Sequence, residues 1–125
     1  MLLYLAADLI WATKIKGTAD ALGIPARPVR TLEMLESRLA DSQVTGMVLD
    51  LDKPEEALVF ISRLRGERAS PGERLIKLLA WGPHVAVELL QQAKTAGADV
   101  VMTRGAFDHK MPELLKELAA GRGGG

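Results

Sequence analysis

The chain has 125 residues, enough for one domain and too few for two. Hydrophobic residues are 48% and charged residues 26%, a globular balance that excludes disorder, and 16 basic residues cancel 16 acidic ones, which argues against a nucleic-acid module. There is no cysteine, so disulfides, thiolate catalysis, zinc–thiolate sites and iron–sulfur clusters are excluded.

Leu2–Ala7 is almost wholly apolar, as a strand covered on both faces must be. The same run is too short for a signal peptide, lacks a basic leader and is cut off by Asp8. Leu9–Leu22 reads as a helix with Ala12, Ile15, Ala19 and Leu22 on its inner stripe, and Gly23 and Pro25 end it. Ala26–Arg30 reads as a strand near an edge. Thr31 is an N-cap for a helix carrying Leu32, Leu35 and Leu39.

Gly46–Leu51 is the clearest central strand. Pro54 suits the first turn of the next helix, with Glu55 and Glu56 favoured beside it, and Ala57, Leu58, Ile61 and Leu64 form its buried stripe. Gly66–Glu73, with Ser70-Pro71-Gly72, reads as a surface loop. A fourth strand follows over Leu75–Trp81 and a helix over Val85–Ala96, closed by Gly97. Asp99–Thr103 reads as the fifth strand and Pro112–Ala120 as the last helix, with Leu114, Leu115 and Leu118 inward. One domain over 1–120 is expected, then a flexible glycine-rich tail over 121–125.

Five alternations of strand and helix imply an α/β fold: parallel strands, right-handed crossovers and a doubly wound three-layer sandwich. Function in such folds gathers outside the carboxyl ends of the strands. That crevice collects Ala6-Ala7-Asp8, Asp50-Leu51-Asp52, Trp81-Gly82-Pro83 and Thr103-Arg104-Gly105. No apolar run is long enough to cross a bilayer, so no membrane contact is expected. A reduced, cytoplasmic setting fits the missing cysteine. With no Asn and three Gln, the chain also fits a thermophilic source.

The familiar nucleotide and hydrolase motifs are missing. No GxxxxGK[ST] follows a strand, no GxGxxG opens a helix and no GxSxG elbow exists. The Ser/Thr-rich first loop of a flavin-binding version is absent. His84 and His109 are not at metal-ligand spacing and read as loop and helix-start residues. What remains is Asp50 at the end of the best strand, with Asp52 two residues on. Asp50 reads either as a polar strand terminus near helix N-termini or as a carboxylate placed in the functional crevice.

Val48-Leu49-Asp50-Leu51-Asp52-Lys53-Pro54 resembles the phospho-acceptor strand and loop of response-regulator receiver domains. Ala93-Lys94-Thr95-Ala96-Gly97-Ala98-Asp99 resembles their helix-4 to strand-5 junction. The resemblance runs through nearly the whole chain and implies the flavodoxin/CheY-like fold, with strand order 2-1-3-4-5. It places Asp50 on the acceptor. The family's paired acids after strand 1, which hold Mg²⁺, fall on Ala6 and Ala7, with Asp8 one place late. The phosphoryl-binding Ser/Thr falls on Gly82, or on Trp81 with a one-residue shift. The aromatic switch falls on Val101, the conserved Lys on Arg104 and the following Pro on Gly105.

Phosphoryl transfer needs a metal and cations to neutralise the phosphoryl oxygens, and methyl groups at Ala6 and Ala7 supply no ligand. The pattern therefore implies a degenerate pseudo-receiver: no metal, no cofactor and no catalysis, with Mg²⁺ entering only if Asp50 is phosphorylated. Arg104, able to grip an acid through two hydrogen bonds, is expected to pair with Asp50. Ordinary packing, a plug for the vacated site, or a binding surface are open roles for Trp81. Trp11 reads either as part of a partner or dimer interface or as a cap on the core beside Ile15. Asp52 reads as a helix-start acid.

The leading expectation is a stand-alone signalling module that works by binding another signalling protein. Parts of Val85–Ala96 and Pro112–Ala120 would supply the surface, and a homodimer is compatible with it. The second is a receiver that takes phosphate on Asp50 with Asp8 as a makeshift metal ligand. The third is a small-molecule sensor using an apolar crevice around Trp81.

Overall fold

The computed structural model describes residues 1–121. Leu2–Leu5 (β1), Ala26–Pro28 (β2), Gly46–Asp50 (β3), Lys77–Gly82 (β4) and Val100–Thr103 (β5) form one parallel sheet in the order β2-β1-β3-β4-β5. Every residue of β1 and β3 is buried, which is why both read as continuous apolar runs, β3 as far as its terminal Asp50. Helices Leu9–Ala21 (α1), Leu32–Asp41 (α2), Pro54–Arg65 (α3), Val87–Ala96 (α4) and Arg104–Ala120 (α5) cover the two faces.

Alternate residues of each strand serve opposite faces and build two cores. Leu3, Leu5, Leu49, Leu51, Leu78 and Ala80 pack with Leu35, Phe60, Ile61 and Ala93 from α2, α3 and α4. Leu2, Tyr4, Val48, Leu79 and Trp81 pack with Ile15, Ala19, Phe107, Met111 and Leu115 from α1 and α5. Asp50 follows Val48 by two, so it belongs to the α1/α5 face.

Capping explains the local stops. The Thr31 hydroxyl accepts the Met34 N–H, and Pro54 occupies the first turn of α3. Gly97 ends α4 at φ 125, where an added Cβ would lie 2.6 Å from Arg65 Cγ. At the start of β3, a Cβ on Gly46 would lie 2.9 Å from Leu118 Cβ and 3.0 Å from the Leu118 carbonyl oxygen, so α5 rests directly on the strand backbone.

Most strands are shorter than the apolar runs that announce them: β1 stops at Leu5, β2 at Pro28, β3 at Asp50, and β5 begins at Val100. Glu73–Leu75 is a short 3₁₀ turn and β4 begins at Lys77, so the fourth strand starts two residues later than expected. The α4 helix starts at Val87, not Val85.

The larger correction concerns α5, which begins at Arg104 and runs through Pro112. Proline removes one helical hydrogen bond and crowds the carbonyl four residues back. Here Pro112 is exposed, while Phe107, Met111, Leu115 and Leu118 are buried at spacings of four, four and three, and that stripe outweighs the lost bond. Gly121 is the last described residue, so the expected flexible tail over 121–125 lies almost wholly outside the described residues. No helix among the described residues is long and apolar enough to cross a membrane.

Candidate functional site

Parallel strands deliver their carboxyl ends to one edge of the sheet, where the β1–α1, β3–α3, β4–α4 and β5–α5 loops meet. Asp50, the last residue of β3, is 1% exposed and is the one buried charged residue among those described. Its Oδ2 accepts the Ala7 N–H at 2.8 Å and its Oδ1 accepts the Asp52 N–H at 2.9 Å. The loop after β1, where the resemblance puts Ala6 and Ala7 at the positions of the paired acids, offers Asp50 a backbone amide. Burial pushes the Asp50 carboxyl above its ordinary value of 3.8; the two N–H bonds and the nearby Arg104 charge oppose that rise, Asp52 adds to it, and the rise prevails.

Ala6 and Ala7 are half-buried and carry no ligand atom beyond the backbone. Asp8 is exposed and caps α1, its Oδ1 accepting the Trp11 N–H at 2.9 Å. It is committed to starting the helix, as a residue with extended backbone at that point should be.

Arg104 does not pair with Asp50. Its Nη2 donates to Asp52 Oδ2 across the mouth of the crevice. The two pairing side chains are 38% and 43% exposed, so the ion pair forms with little desolvation. Reaching Asp50 would bury the guanidinium beside an acid whose oxygens already have amide partners. The position of Arg104 as the first residue of α5, a consequence of the longer helix, holds it at that mouth. Asp52 is thus the arginine's partner as well as a residue near the start of α3.

Trp81 is 0% exposed and therefore packing, not a binding surface. It stands opposite Asp50 in the β3–β4 register, on the same face of the sheet. Its ring stacks on Phe107 at 4.4 Å and meets Trp11 at 5.9 Å. Trp11 is half-buried and also contacts Phe107, so it closes the core above Ile15. Phe107 is the residue that sequence reasoning missed; the 107, 111, 115, 118 stripe held the signal, masked by Pro112.

Gly82 leaves no hole. Its side-chain direction faces Leu51, where a Cβ would lie 3.2 Å from Leu51 Cβ, so a hydroxyl residue there would need the core to shift. Val101 is half-buried and packs on the opposite core. Beside the crevice lies an open cavity of about 540 Å³, walled by Trp11, His84, Val85, Thr103, Arg104 and Asp108 among others. Asp50 and Trp81 are not among its walls, so the crevice expected around Trp81 is filled by the tryptophan itself.

The residues do not fit Mg²⁺. Among the described residues no three His, Cys, Asp or Glu side chains group as a cation site. Two buried polar atoms without partners belong to crevice residues, Trp81 Nε1 and Arg104 Nε, and both are N–H donors that cannot coordinate a cation.

No family model matches the chain, and no curated protein sequence does. Solved structures do. A response regulator (signal receiver domain) from Bermanella marisrubri superposes with a TM-score of 0.76 at 21% identity, covering 94% of this chain and 95% of that one. A response regulator from Thermotoga maritima gives 0.74 at 17% identity, covering 95% and 96%. The pseudo-receiver domain of the CikA protein gives 0.64 at 20% identity, covering 94% of each. Sheet order, helix placement and these superpositions agree: the chain has the fold of response-regulator receiver domains.

Proposed function

We propose that this protein is a receiver-like signalling module that acts by contact with another signalling protein and does not run an aspartyl-phosphate cycle. One observation carries the reading: the acceptor-equivalent Asp50 is buried and held on both oxygens by backbone N–H groups, and the acid beside it, Asp52, is taken up by Arg104. Phosphorylation would turn the single charge of an Asp50 carboxylate into about two, adding about one negative charge where the neighbouring cation is already paired with Asp52. Packing of Trp81 on Phe107 supports the same reading, because it fills space with a side chain that offers no lone pair.

The contact surface is supported by apolar side chains left open at the same end of the molecule. Leu9 and Ile10 in the first turn of α1 are 80% and 72% exposed, and Val85 in the loop before α4 and Val87 at its first residue are 75% and 68% exposed. A second copy of the chain is one candidate for the partner. No enzymatic step is assigned to the module.

Intact-mass spectrometry after incubation with Mg²⁺ and acetyl phosphate, run beside Asp50→Ala, tests the reading. The expected result is no phosphoryl adduct on either protein. An adduct on the wild type that disappears in Asp50→Ala overturns it and makes Asp50 a working acceptor.

A further inference from the structure

Most of the strongly exposed large apolar side chains sit at the carboxyl edge of the sheet. Leu9 and Ile10 open α1, Val85 lies in the loop before α4 and Val87 is its first residue. The cavity of about 540 Å³ ties the two groups together, because Trp11, the residue after Ile10, and Val85 are both among its walls. Thr103 and Arg104 wall it from α5. Apolar groups from α1 and from the start of α4 therefore flank one hollow.

The start of α1 is an uncommon place for them. The first turn of a helix favours acids, which offset its exposed N–H groups, and α3 follows that rule with Glu55 and Glu56. The first turn of α1 has no acid and carries Leu9, Ile10 and Trp11 in its place. Of these only Trp11 is drawn into the α1/α5 core.

Charge narrows the choice of partner. The ionised groups around the hollow are balanced: Lys14 pairs with Asp108 at 2.7 Å, and Arg104 pairs with Asp52. All four side chains are half-exposed. A partner of one sign, such as a nucleic acid or an anionic membrane, meets as many like charges as opposite ones here. A second copy of the chain brings the matching combination, an apolar centre and a rim of both signs. A two-fold axis lays the mixed rim of one copy on that of the other, where each base again has an acid to face. The whole chain carries 16 bases and 16 acids, so two copies meet without net repulsion.

Size sets the strength. An apolar patch of a few hundred Å² on each copy, with its rim, gives about 1,000 Å² of buried surface in all, the lower limit for a specific interface. The contact is therefore weak and depends on concentration.

We propose that this protein forms a two-fold dimer through the mouth of the crevice, the first turn of α1 and the start of α4 of each copy packing on those of the other. The inference rests on the reading that the module works by protein contact, and it names the partner. It keeps the start of α4 expected from the sequence and puts the start of α1 in place of Pro112–Ala120.

The test is sedimentation velocity of the intact chain from about 5 µM to about 500 µM. The expected result is a monomer that passes to a dimer, with a dissociation constant on the order of 100 µM for an interface of this size. Ile10→Glu and Val87→Glu each put an acid in a first helical turn, where it favours the helix, so both are expected to melt at or above the wild-type temperature. Each is expected to weaken dimerisation at least about tenfold, because the acid is buried in an apolar contact. Leu75→Glu changes an exposed leucine at the opposite edge of the sheet and is expected to dimerise as the wild type does. A wild type that stays monomeric throughout overturns the second copy as occupant and leaves the surface to a different protein. A dimer that survives both substitutions, or is lost in Leu75→Glu, overturns the placement. The phosphorylation test reads separately: a monomer without an adduct removes this inference alone, and a dimer with an adduct removes only the claim that Asp50 takes no phosphate.

Discussion

Replacing Trp81 by phenylalanine weighs two effects that the crevice sets against each other. Trp81 is fully buried, and truncating such a side chain to alanine costs about 3–5 kcal/mol. Phenylalanine keeps the ring that stacks on Phe107 and loses roughly 40 Å² of apolar surface, which costs about 1 kcal/mol. It also removes an indole N–H that is buried without an acceptor, a group that costs about 1–3 kcal/mol to leave unpaired. The two contributions offset, and Trp81→Phe is expected to lie within about 1 kcal/mol of the wild type while Trp81→Ala does not. Urea unfolding followed by far-UV circular dichroism reads the difference, with an unchanged slope confirming that the native state and unfolded chain are comparable. In thermal melts the phenylalanine variant should stay within about 4 °C of the wild type. A loss above about 2 kcal/mol for Trp81→Phe would show that the indole N–H is satisfied, and the offset argument would fail.

Arg63 grips Glu36 of α2 and Glu73 of the 3₁₀ turn through four hydrogen bonds of 2.7–3.2 Å, with its own side chain 11% exposed. Its guanidinium holds both carboxyls below their usual value of 4.5, so the stability from the cluster is present above that pH and is lost as pH falls through the lowered values. Arg63→Met is expected to cost about 1–2 kcal/mol near neutrality, and urea midpoints should converge with the wild type as the pH drops below about 4. Asp50 has the opposite sign. Its raised carboxyl adds stability that is complete below the unfolded value of 3.8 and is lost as pH rises through the folded value. Asp50→Asn should therefore gain on the wild type as pH rises toward neutrality, and the Asp50 carboxyl carbon should titrate above 3.8 by NMR; a midpoint at or below that value would contradict the burial argument.

The sheet was legible because its residues obey one strong rule each. Leu2–Leu5 and Gly46–Leu49 lie under helices on both faces, so they had to be continuously apolar, and Thr31, Pro54 and Gly97 carry their turn chemistry openly. Asp50 was legible for the inverse reason, as a charge at the end of an apolar strand. The start of α5 was not, because Gly105 and Pro112 oppose helix locally and only burial of Phe107 and Met111 against Trp81 and the rest of that core decides the matter. The partner of Arg104 was hidden too. Asp50 and Asp52 are two residues apart, and which one an arginine can reach depends on the amides that have already claimed the inner acid.

The closeness of α5 to the sheet carries a mechanical consequence. At its N-terminal end the helix is held by the Thr103 cap and by the Phe107–Trp81 stack; near its far end Leu118 rests on the bare backbone of Gly46. Leu118 meets the strand backbone side-on, so a residue larger than glycine at position 46 would push that end of α5 away from the sheet while the Phe107–Trp81 stack holds the other.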